Sequence, residues 1–329
     1  MPKVVRFYEI GGAEVLKVEE LPLLEPGEGE VRLAVEAIGL NRAEVMFRRG
    51  QYLENPQLPS RLGYEAAGII DAVGPGTSGI RIGDRVSTIP SFNMGTYGVY
   101  GESAIVPAYA VAHYPGTLSP VEGAAIWMQY LTAFGALVEF GHLQKDAFVL
   151  ITAGSSSVAL AAIQITKSAG AFAIATTRGP EKKSFLMDAG ADHVIVTENE
   201  DLVKSVMAIT SGKGVSLVFD PVAGPLLGKL ADAAAPGAWI FEYGALSPAP
   251  ATFPLFQALA KGLTVRGYTL FEIVTDHERL ARGKRFIYNG IESGTLKPVI
   301  DRTFPLESIV EAHRYMESNQ QRGKIVVTV

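Results

Sequence analysis

The chain contains no cysteine among its 329 residues, and its five histidines are scattered. A protein without thiols has no disulfide, no thiolate nucleophile, no iron–sulfur cluster and no zinc held by cysteine. The histidines have neither metal-ligand spacing nor triad spacing, which favours structural or surface roles for all of them. They are His113, His142, His193, His277 and His313. We therefore expect no metal site and a fold held together by its hydrophobic core.

A surplus of basic residues is also missing. The 29 Lys and Arg residues are outnumbered by 34 Asp and Glu residues, so the formal net charge is −5. Such a chain has no excess of cations to place on phosphates, which argues against a nucleic-acid or anionic-membrane partner. The N-terminal segment carries Lys3, Arg6 and Glu9 and lacks the apolar core of a signal peptide, so we expect a cytoplasmic location.

One long apolar stretch, residues 147–166, carries no charge. Its length would suit a membrane-spanning helix, but the polar, flexible residues 152–157 interrupt its middle. A strand-like run precedes the interruption, and apolar residues at i, i+3, i+4 and i+7 from Val158 follow it. We therefore predict a buried strand, a turn and a helix, with Gly170 as the C-terminal cap of that helix.

The residue pattern of the chain changes near residue 121. Before it, alternating residues such as 31–37 and short apolar runs between turn signals favour a compact barrel of short strands. After it, helical segments alternate with strands, which we place at 148–151, 172–176, 193–196, 216–219, 238–243 and 264–266. This alternation predicts an α/β fold with a doubly wound parallel sheet. A helix near 306–318 and a strand at 324–329 complete the chain.

The turn after the first of these strands has the composition of a dinucleotide site. Such a site needs a tight strand-to-helix turn whose backbone N–H groups point at the pyrophosphate. Small residues meet this need at Gly154, Ser155, Ser156, Ser157 and Ala159, and the serine hydroxyls can donate to phosphate or cap the helix. The segment is not G-x-G-x-x-G, and an ordinary turn without a ligand is the alternative.

The end of the next strand bears on the choice of cofactor. NAD sites usually carry an acid about twenty residues after the turn, where it binds the ribose 2′-hydroxyl. Here the matching place holds Thr177, Arg178 and Lys182, with no acid before Glu181. A cation suits a 2′-phosphate, whereas solvated charges at a helix start are the alternative. Together with the turn, these residues predict NADPH as the cofactor.

Short motifs in a fixed order along the whole chain resemble those of a known family. They are Gly39-Leu40-Asn41-Arg42-Ala43-Glu44, Arg48-Arg49-Gly50-Gln51-Tyr52, Gly63-Tyr64-Glu65-Ala66-Ala67-Gly68, Gly83-Asp84-Arg85-Val86, Gly101-Glu102, Tyr130-Leu131-Thr132-Ala133, the turn itself, Gly190-Ala191-Asp192 and Gly323-Lys324-Ile325-Val326. In this order they resemble the zinc-independent quinone oxidoreductase (zeta-crystallin-like) branch of the medium-chain dehydrogenase/reductase superfamily. The departure is the turn, where close relatives show alanines followed by Gly-Gly-Val-Gly.

This resemblance implies a GroES-like β-barrel catalytic domain formed by both termini, residues 1–124 and 268–329. A Rossmann NADPH-binding domain would span residues 125–267. The metal positions of zinc-dependent relatives are held here by Asn41, Tyr64 and Met128. Asparagine, a phenol and a thioether do not make a zinc site, so the resemblance implies zinc-free chemistry.

The resemblance also supplies the expected site residues. Tyr52, Asn41 and Tyr64 are the expected catalytic residues: either tyrosine is a candidate proton donor, and Asn41 is expected near the nicotinamide. A packed aromatic with a satisfied hydroxyl is the alternative for each tyrosine. The expected NADPH contacts are Asn41, Thr132, Gly154, Ser155, Ser156, Ser157, Val158, Thr177, Arg178, Lys182, Gly244, Ala245, Tyr268 and Lys324.

Three functions compete on these grounds. The leading one is an NADPH-dependent reductase that transfers hydride to a quinone or an α,β-unsaturated carbonyl compound. The second is an enoyl-thioester reductase, which predicts a basic-mouthed channel near Arg42, Arg48 and Arg49. The third is a non-enzymatic NADPH-binding protein. The resemblance further implies a homodimer that pairs its Rossmann sheets through the last strand, near residues 263–268.

Overall fold

The structure, a computed structural model, describes every residue from Met1 to Val329 and divides into two units. The first unit contains Met1–Met128 and Pro298–Val329, and the second contains Gln129–Lys297. The first unit is thus formed by both termini. Residues 268–297 fall in the second unit, and the domain boundaries at 124/125 and 267/268 stay predictions.

Strands and helices alternate along most of the chain. The strands are β1 (Lys3–Arg6), β2 (Lys17–Glu20), β3 (Glu30–Gly39), β4 (Glu65–Val73), β5 (Arg85–Thr88), β6 (Ser103–Pro107), β7 (Val111–His113), β8 (Phe148–Ile151), β9 (Phe172–Thr177), β10 (His193–Val196), β11 (Val215–Asp220), β12 (Ala234–Glu242), β13 (Thr264–Gly267), β14 (Ile300–Pro305) and β15 (Lys324–Thr328). The helices are α1 (Arg42–Arg48), α2 (Met94–Tyr97), α3 (Pro120–Gly123), α4 (Trp127–Phe134), α5 (Ser157–Ser168), α6 (Lys183–Asp188), α7 (Leu202–Ile209), α8 (Leu226–Ala233), α9 (Leu255–Lys261), α10 (Phe271–Val274), α11 (His277–Glu292) and α12 (Ile309–Glu317).

The second unit is built on a parallel sheet of six strands in the order β10-β9-β8-β11-β12-β13. Counted from β8, this is the order 3-2-1-4-5-6 of the doubly wound dinucleotide-binding fold. In that fold, ligands bind beyond the carboxyl ends of the strands, where the strand order reverses. The reversal lies between β8 and β11, and the predicted α/β class is confirmed.

Helix α5 is more deeply buried than its sequence pattern predicts. The stripe that starts at Val158 is joined by further buried side chains, including Leu160 and Ile163, so most sides of the helix are covered. One side packs on β8 and β9. On another side the Tyr130 hydroxyl donates to Gln164 Oε1 at 2.8 Å. A helix that is buried on most sides has little amphipathicity. The apolar stripe therefore predicted the helix but not how many of its side chains are buried.

The first unit is built on a largely antiparallel sheet in the order β14-β15-β3-β4-β5-β7, with β6 also paired to β3. The C-terminal strand β15 runs antiparallel to β3 and parallel to β14. The last strand of the chain therefore completes the sheet that begins at β3, as a GroES-like domain formed by both termini requires. Strands β1 and β2 form a separate antiparallel pair.

Two differences from the sequence predictions have physical causes. The helical segment expected between residue 121 and β8 is broken into α3, α4 and a π-helical turn over Gly135–Phe140. Gly135 has no side chain because a Cβ there would lie 2.0 Å from the Tyr268 hydroxyl. Apolar periodicity also fails to pick out α11, since two of its four buried residues are glycines and give no apolar signal.

One stretch is long and apolar enough to cross a bilayer by length and composition alone. It spans Pro120–Phe140. The most apolar 18-residue window in this stretch has a mean hydropathy of 1.2, and 78% of the window is buried inside the fold. A core helix of a globular fold passes the same test. The uncharged residues 147–166 form β8, a turn and α5, as predicted, with Gly170 at φ +71° just beyond the helix end.

Candidate functional site

The turn between β8 and α5 is held by hydrogen bonds to two neighbouring strands. The Thr152 N–H donates to Phe219 O of β11 at 3.2 Å, and the Gly154 N–H donates to Thr176 O of β9 at 2.9 Å. Ser156 precedes α5, and its hydroxyl accepts from the Ala159 N–H at 3.2 Å. The turn therefore lies at the carboxyl edge of the sheet and opens onto a helix N-terminus, the geometry that a pyrophosphate requires.

Glycine is necessary at one position of this turn and not at the serines. A Cβ on Gly154 would lie 2.9 Å from Thr176 O and 3.1 Å from Leu186 Cδ1, so only hydrogen fits there. The one residue of the turn with positive φ is Ala153, at +47°, whereas Ser155, Ser156 and Ser157 do not enter that region. The serines thus occupy conformations that any residue adopts, and each adds a hydroxyl to the turn.

The basic residues predicted to select the cofactor lie beside the turn. Lys182 follows β9, and its Nζ donates to Ser155 Oγ at 2.8 Å. Arg178 is exposed directly after β9, and Thr177 is the last residue of that strand. An ammonium bridging from the end of β9 to the turn fits a 2′-phosphate on the adenosine side of a dinucleotide. Ser155 and Lys182, two of the predicted cofactor contacts, are therefore bonded to each other, and their role in cofactor binding stays a prediction.

Sequence reasoning missed an acid at the same edge and placed the neighbouring phenol, Tyr243, only in a segment expected to line the pocket. Asp220 ends β11, is fully buried and accepts hydrogen bonds from Thr152 Oγ1 and, at 2.6 Å, from the Ala223 N–H. Tyr243 follows β12 and stacks on Phe219, with ring centroids 4.0 Å apart. The Tyr243 hydroxyl is buried without a hydrogen-bond partner. The signal for Asp220 was its position directly after the predicted strand 216–219.

The other predicted contacts of the second unit are divided between the edge and the core. Gly244 lies against Pro221, where a Cβ would be 2.9 Å from the Pro221 carbonyl oxygen, and Ala245 is exposed beside it. Thr132 is buried on α4. Tyr268 is also buried, packs on Phe241 and donates to a carbonyl of α4, and burial raises its pKa. Tyr268 is thus placed as a core residue.

In the first unit, Asn41 sits in a closed network of buried side chains. Its Nδ2 lies 3.1 Å from each of three acceptors: Gly39 O, a Glu44 carboxyl oxygen and a Glu65 carboxyl oxygen. Its Oδ1 accepts from Lys324 Nζ at 2.6 Å. Two N–H bonds already serve three acceptors, so this amide has no hydrogen left for a ligand. One lone pair of Oδ1 remains able to accept.

Lys324 neutralises one of the two acids of this network. The Lys324 ammonium pairs with Glu65, and both side chains are buried. Glu65 also accepts from the N–H groups of Trp127 at 3.1 Å and Met128 at 2.8 Å, so it holds the N-terminus of α4. Burial raises the pKa of Glu44 to about 7, against the opposing effect of Lys324. The predicted cofactor contact Lys324 is thereby placed in a buried ion pair.

The two candidate proton donors differ in exposure and in partners. Tyr64 is fully buried, and its hydroxyl donates to Glu54 Oε1 at 2.8 Å. Glu54 also accepts from Asn93 Nδ2 and, at 3.1 Å, from the Met94 N–H. Tyr52 is half-buried and lies edge-on to Tyr64, with ring centroids 6.5 Å apart. Burial raises the pKa of Tyr52 to about 12 and that of Tyr64 further.

The arginines that an enoyl-thioester channel would need are committed to helix α12 and the loop after it. Arg48 is fully buried and donates to Gly11 O and to Glu317, both at 2.6 Å. Arg49 pairs with the same Glu317 at 2.8 Å. Arg42 donates to Met316 O at 2.9 Å and to Asn319. These guanidinium groups hold α12 against α1 and its surroundings.

The buried histidine and the positions that the resemblance matches to metal ligands have identifiable surroundings in the structure. His313 is buried, lies 3.3 Å from the Tyr100 hydroxyl, and has its pKa lowered to about 3 by burial and nearby arginines. No group of three or more His, Cys, Asp or Glu side chains is arranged to hold an ion. The resemblance matches Asn41, Tyr64 and Met128 to metal ligands. Asn41 accepts a hydrogen bond from Lys324, and the Tyr64 hydroxyl donates one to Glu54.

Two family models match separate segments of the chain. The family model described as "Alcohol dehydrogenase GroES-like domain" matches residues 27–116, and the one described as "Zinc-binding dehydrogenase" matches residues 189–327. Quinone oxidoreductase 1 of Escherichia coli is 31% identical over 97% of each chain.

Solved structures agree with these matches. The Escherichia coli quinone oxidoreductase complexed with NADPH superposes with a TM-score of 0.91 at 30% identity, covering 99% of this chain and all of that one. A structure described as an NAD-dependent alcohol dehydrogenase gives 0.89 at 32% identity, covering 99% of each chain. The CurK enoyl reductase gives 0.88 at 25% identity, also covering 99% of each chain.

Proposed function

The chain belongs to the zinc-independent quinone oxidoreductase branch of the medium-chain dehydrogenase/reductase superfamily, and from this premise we propose an NADPH-dependent reductase of quinones or α,β-unsaturated carbonyl compounds that works without zinc. The observation that carries the proposal is the turn after β8, with Lys182 bridged to Ser155. That turn supplies backbone and hydroxyl donors for a pyrophosphate and a cation for a 2′-phosphate.

The residues present fit NADPH. Ser155, Ser156 and Ser157 would hold the pyrophosphate with the backbone around Val158, and Lys182 with Arg178 would hold the 2′-phosphate. The unpartnered hydroxyl of Tyr243 lies buried at the same edge of the sheet, where a ligand can satisfy it. When bound, NADPH supplies the hydride.

Tyr52 is the proposed proton donor. After hydride arrives at the acceptor carbon, the Tyr52 O–H gives its proton to the resulting oxyanion or α-carbon, and water restores that proton to the phenolate. Tyr64 is less suited because its hydroxyl is buried and already donates to Glu54. Asn41 would act through its fixed amide, with Oδ1 as the atom still able to accept a hydrogen bond from a ligand amide.

The zinc-free part of the proposal rests on the donor set. A zinc site needs thiolate, imidazole or carboxylate ligands in a tetrahedral arrangement. The chain has no cysteine, and the former ligand positions hold Asn41, Tyr64 and Met128. Glu65, which accepts from Asn41 Nδ2, is neutralised by Lys324. We therefore propose that electrophilic help comes from hydrogen bonding to the substrate, which suits acceptors as reactive as quinones and enones.

An enoyl-thioester reductase is the second candidate, favoured by the similarity to the CurK enoyl reductase. Its expected basic channel is not supplied by Arg42, Arg48 and Arg49, because these side chains are bonded to α12 and its following loop. We therefore rank it below quinone or enone reduction. The third candidate, NADPH binding without catalysis, uses the same turn and makes no demand on Tyr52.

NADPH oxidation measured with a panel of quinones, cyclic enones and enoyl thioesters separates the three. The expected result is turnover with quinones or enones that survives extensive chelation of metals. Turnover restricted to enoyl thioesters would select the second candidate. Tight NADPH binding without oxidation by any acceptor would select the third, and loss of activity on chelation would refute the zinc-free mechanism.

We also propose a cytoplasmic homodimer that takes no nucleic acid or membrane as partner. Strand β13 is the edge of its sheet and leaves one row of backbone groups open to pairing. Beside it, α9 exposes Phe256 and Leu259, at 83% and 71%. Light scattering after size exclusion should give twice the chain mass, and Val265→Pro should give the monomer. A wild-type monomer would refute the dimer.

A further inference from the structure

Two carboxyl groups lie side by side at the carboxyl edge of the parallel sheet. Asp220 of β11 and Glu242 of β12 are register partners on adjacent parallel strands, so their side chains project from the same face. Asp220 is fully buried, and both carboxyl oxygens of Glu242 are shielded from solvent. Neither residue is explained by the hydride-transfer chemistry proposed above.

No cation balances this pair. Neither acid takes part in any of the ion pairs of the structure. Asp220 accepts from Thr152 and Ala223, whereas neither oxygen of Glu242 has a donor. Two adjacent, unneutralised carboxylates in a buried place are strongly unfavourable.

None of the groups that face Glu242 supplies a positive charge or a hydrogen-bond donor to its carboxylate. On the side of β11 it meets Asp220, and on its own strand it is followed by the phenol of Tyr243. On the side of β13 its register partner is Gly267, and the neighbouring Arg266 is paired with Glu272. A single proton held between the two acids removes one charge and supplies the missing donor at the same time.

We infer that Asp220 and Glu242 share one proton, carried by Glu242, and that this proton is required for tight binding of the anionic dinucleotide at the adjacent turn. The proton is placed on Glu242 because Asp220 already accepts from Thr152 and from the Ala223 N–H, whereas neither oxygen of Glu242 has a donor. The inference rests on the proposed function, since it assumes that NADPH binds at this turn.

The path from the acid pair to the turn is short. Thr152 is the first residue after β8 and bonds directly to Asp220, and Tyr243 faces Ser156 of the turn. A second negative charge at Glu242 would therefore arise beside the place that must accept a pyrophosphate. Burial and the neighbouring Asp220 both raise the pKa of Glu242 far above its usual range, so the acid remains protonated at neutral pH.

The affinity for NADPH should fall as the pH rises above the pKa of Glu242. Below the pKa of Glu242 the pair carries one charge, and the affinity for NADPH is independent of this group. Above it, binding must first recover a proton, so the dissociation constant rises by up to about tenfold per pH unit. The 2′-phosphate, with a pKa near 6, is fully ionised throughout this range and adds no pH dependence.

The test combines NADPH titration with a measurement that needs no ligand. Dissociation constants are measured between pH 7.5 and about 10 for the wild type, Glu242→Gln and the surface control Glu278→Gln. The wild type and Glu278→Gln should show a ratio between the two ends of about tenfold, and Glu242→Gln a ratio near one. Proton uptake on binding, from calorimetry in buffers of different ionisation enthalpy, should vanish in Glu242→Gln.

Infrared difference spectra of the cofactor-free proteins test the shared proton directly. The wild type minus Glu242→Gln should show a protonated-carboxyl band at pH 7.5, and absence of that band would overturn the inference whatever NADPH does. An unchanged alkaline loss of affinity in Glu242→Gln would also overturn it. If Glu242→Gln does not fold, Asp220→Asn replaces it, because removing the anion should lower the pKa of Glu242 and move the alkaline loss of affinity to lower pH.

Failure of the proposed function gives a different pattern. A wild-type protein that shows the carboxyl band but binds no NADPH at pH 7.5 refutes the cofactor assignment and the dinucleotide part of this inference together. A protein that binds NADPH well at every pH refutes the inference alone.

Discussion

In the first unit, the polar side chains around Asn41 satisfy one another: Lys324 neutralises Glu65, and the amide of Asn41 is bonded on both sides. In the second unit, the polar groups around the turn after β8 are left partly unsatisfied. The Tyr243 hydroxyl has no partner, Glu242 has no donor, and the turn opens onto the N-terminus of α5.

This difference separates a region built for rigidity from one built to receive a ligand. A closed network fixes the position of Asn41 but makes its parts indispensable, since removing one member leaves the others buried without a partner. An open network costs stability in the free protein and recovers it on binding, because a ligand that binds the folded state stabilises it. Substitutions in the two regions should therefore differ in kind, with stability lost in the first and cofactor affinity lost in the second.

The largest expected effect is Lys324→Met in the closed network. The substitution leaves Glu65 buried beside Glu44 without a counter-charge, and breaking a buried pair in this way costs about 3–5 kcal/mol of folding free energy. Denaturant unfolding of the wild type and the variant measures the difference. Lys3→Met, which breaks the exposed pair with Glu307, is the control and should leave the unfolding midpoint unchanged.

An intact midpoint for Lys324→Met would mean that the buried pair with Glu65 contributes little to the free energy of unfolding. The comparison between the two regions would then lose its basis, because the closed network would be no more rigid than the open one.

The next effect concerns the two tyrosines of the first unit. Tyr52→Phe removes the proposed proton donor and should lower kcat by about 100-fold or more, the usual contribution of general acid catalysis. Tyr64→Phe removes a hydroxyl bonded to Glu54 and should affect stability more than kcat. Steady-state kinetics at saturating NADPH with a quinone or enone measure both, and equal losses in the two variants would contradict the assignment.

The pH dependence of kcat offers a further check on Tyr52. Its pKa is raised to about 12 by burial, and a general acid is active while protonated. Ionisation of Tyr52 should therefore cause no loss of kcat up to about pH 11. An alkaline loss should appear in the KM for NADPH and not in kcat.

In the second unit, Lys182→Ala should weaken NADPH binding by about 10- to 100-fold, the value of one or two charge-assisted hydrogen bonds. NADH lacks the 2′-phosphate, so its affinity should change little. Lys183→Ala is the matched control, because Lys183 is exposed and its nearest acid is Glu200 at 3.7 Å. Equal weakening of NADPH and NADH in Lys182→Ala would show that the lysine acts on the pyrophosphate instead.

The sequence predicted the second unit better than the first for a physical reason. Each strand and helix of a parallel sheet is a local, strongly patterned segment, so β8, the turn and α5 were placed residue by residue. The network around Asn41 joins residues from opposite ends of the chain, such as Asn41 and Lys324, which no local pattern connects. Asp220, Glu242 and Glu54 were missed because a single acid at the end of a strand or in a loop resembles an ordinary solvated charge.

The smallest expected effect is that of Ser156→Ala, which should lower both the folding free energy and the NADPH affinity because both depend on one hydroxyl. The Ser156 hydroxyl caps α5 by accepting from the Ala159 N–H at 3.2 Å. Ser156→Ala should cost about 1 kcal/mol of folding free energy through the lost cap. Its hydroxyl hydrogen remains available to a phosphate, so the variant should also weaken NADPH several-fold. Asp201→Ala, which removes the cap of α7 away from the turn, should lower the unfolding midpoint without changing the NADPH dissociation constant. Equal NADPH affinity in Ser156→Ala and the wild type would limit Ser156 to a structural role and leave phosphate binding to the backbone and Lys182.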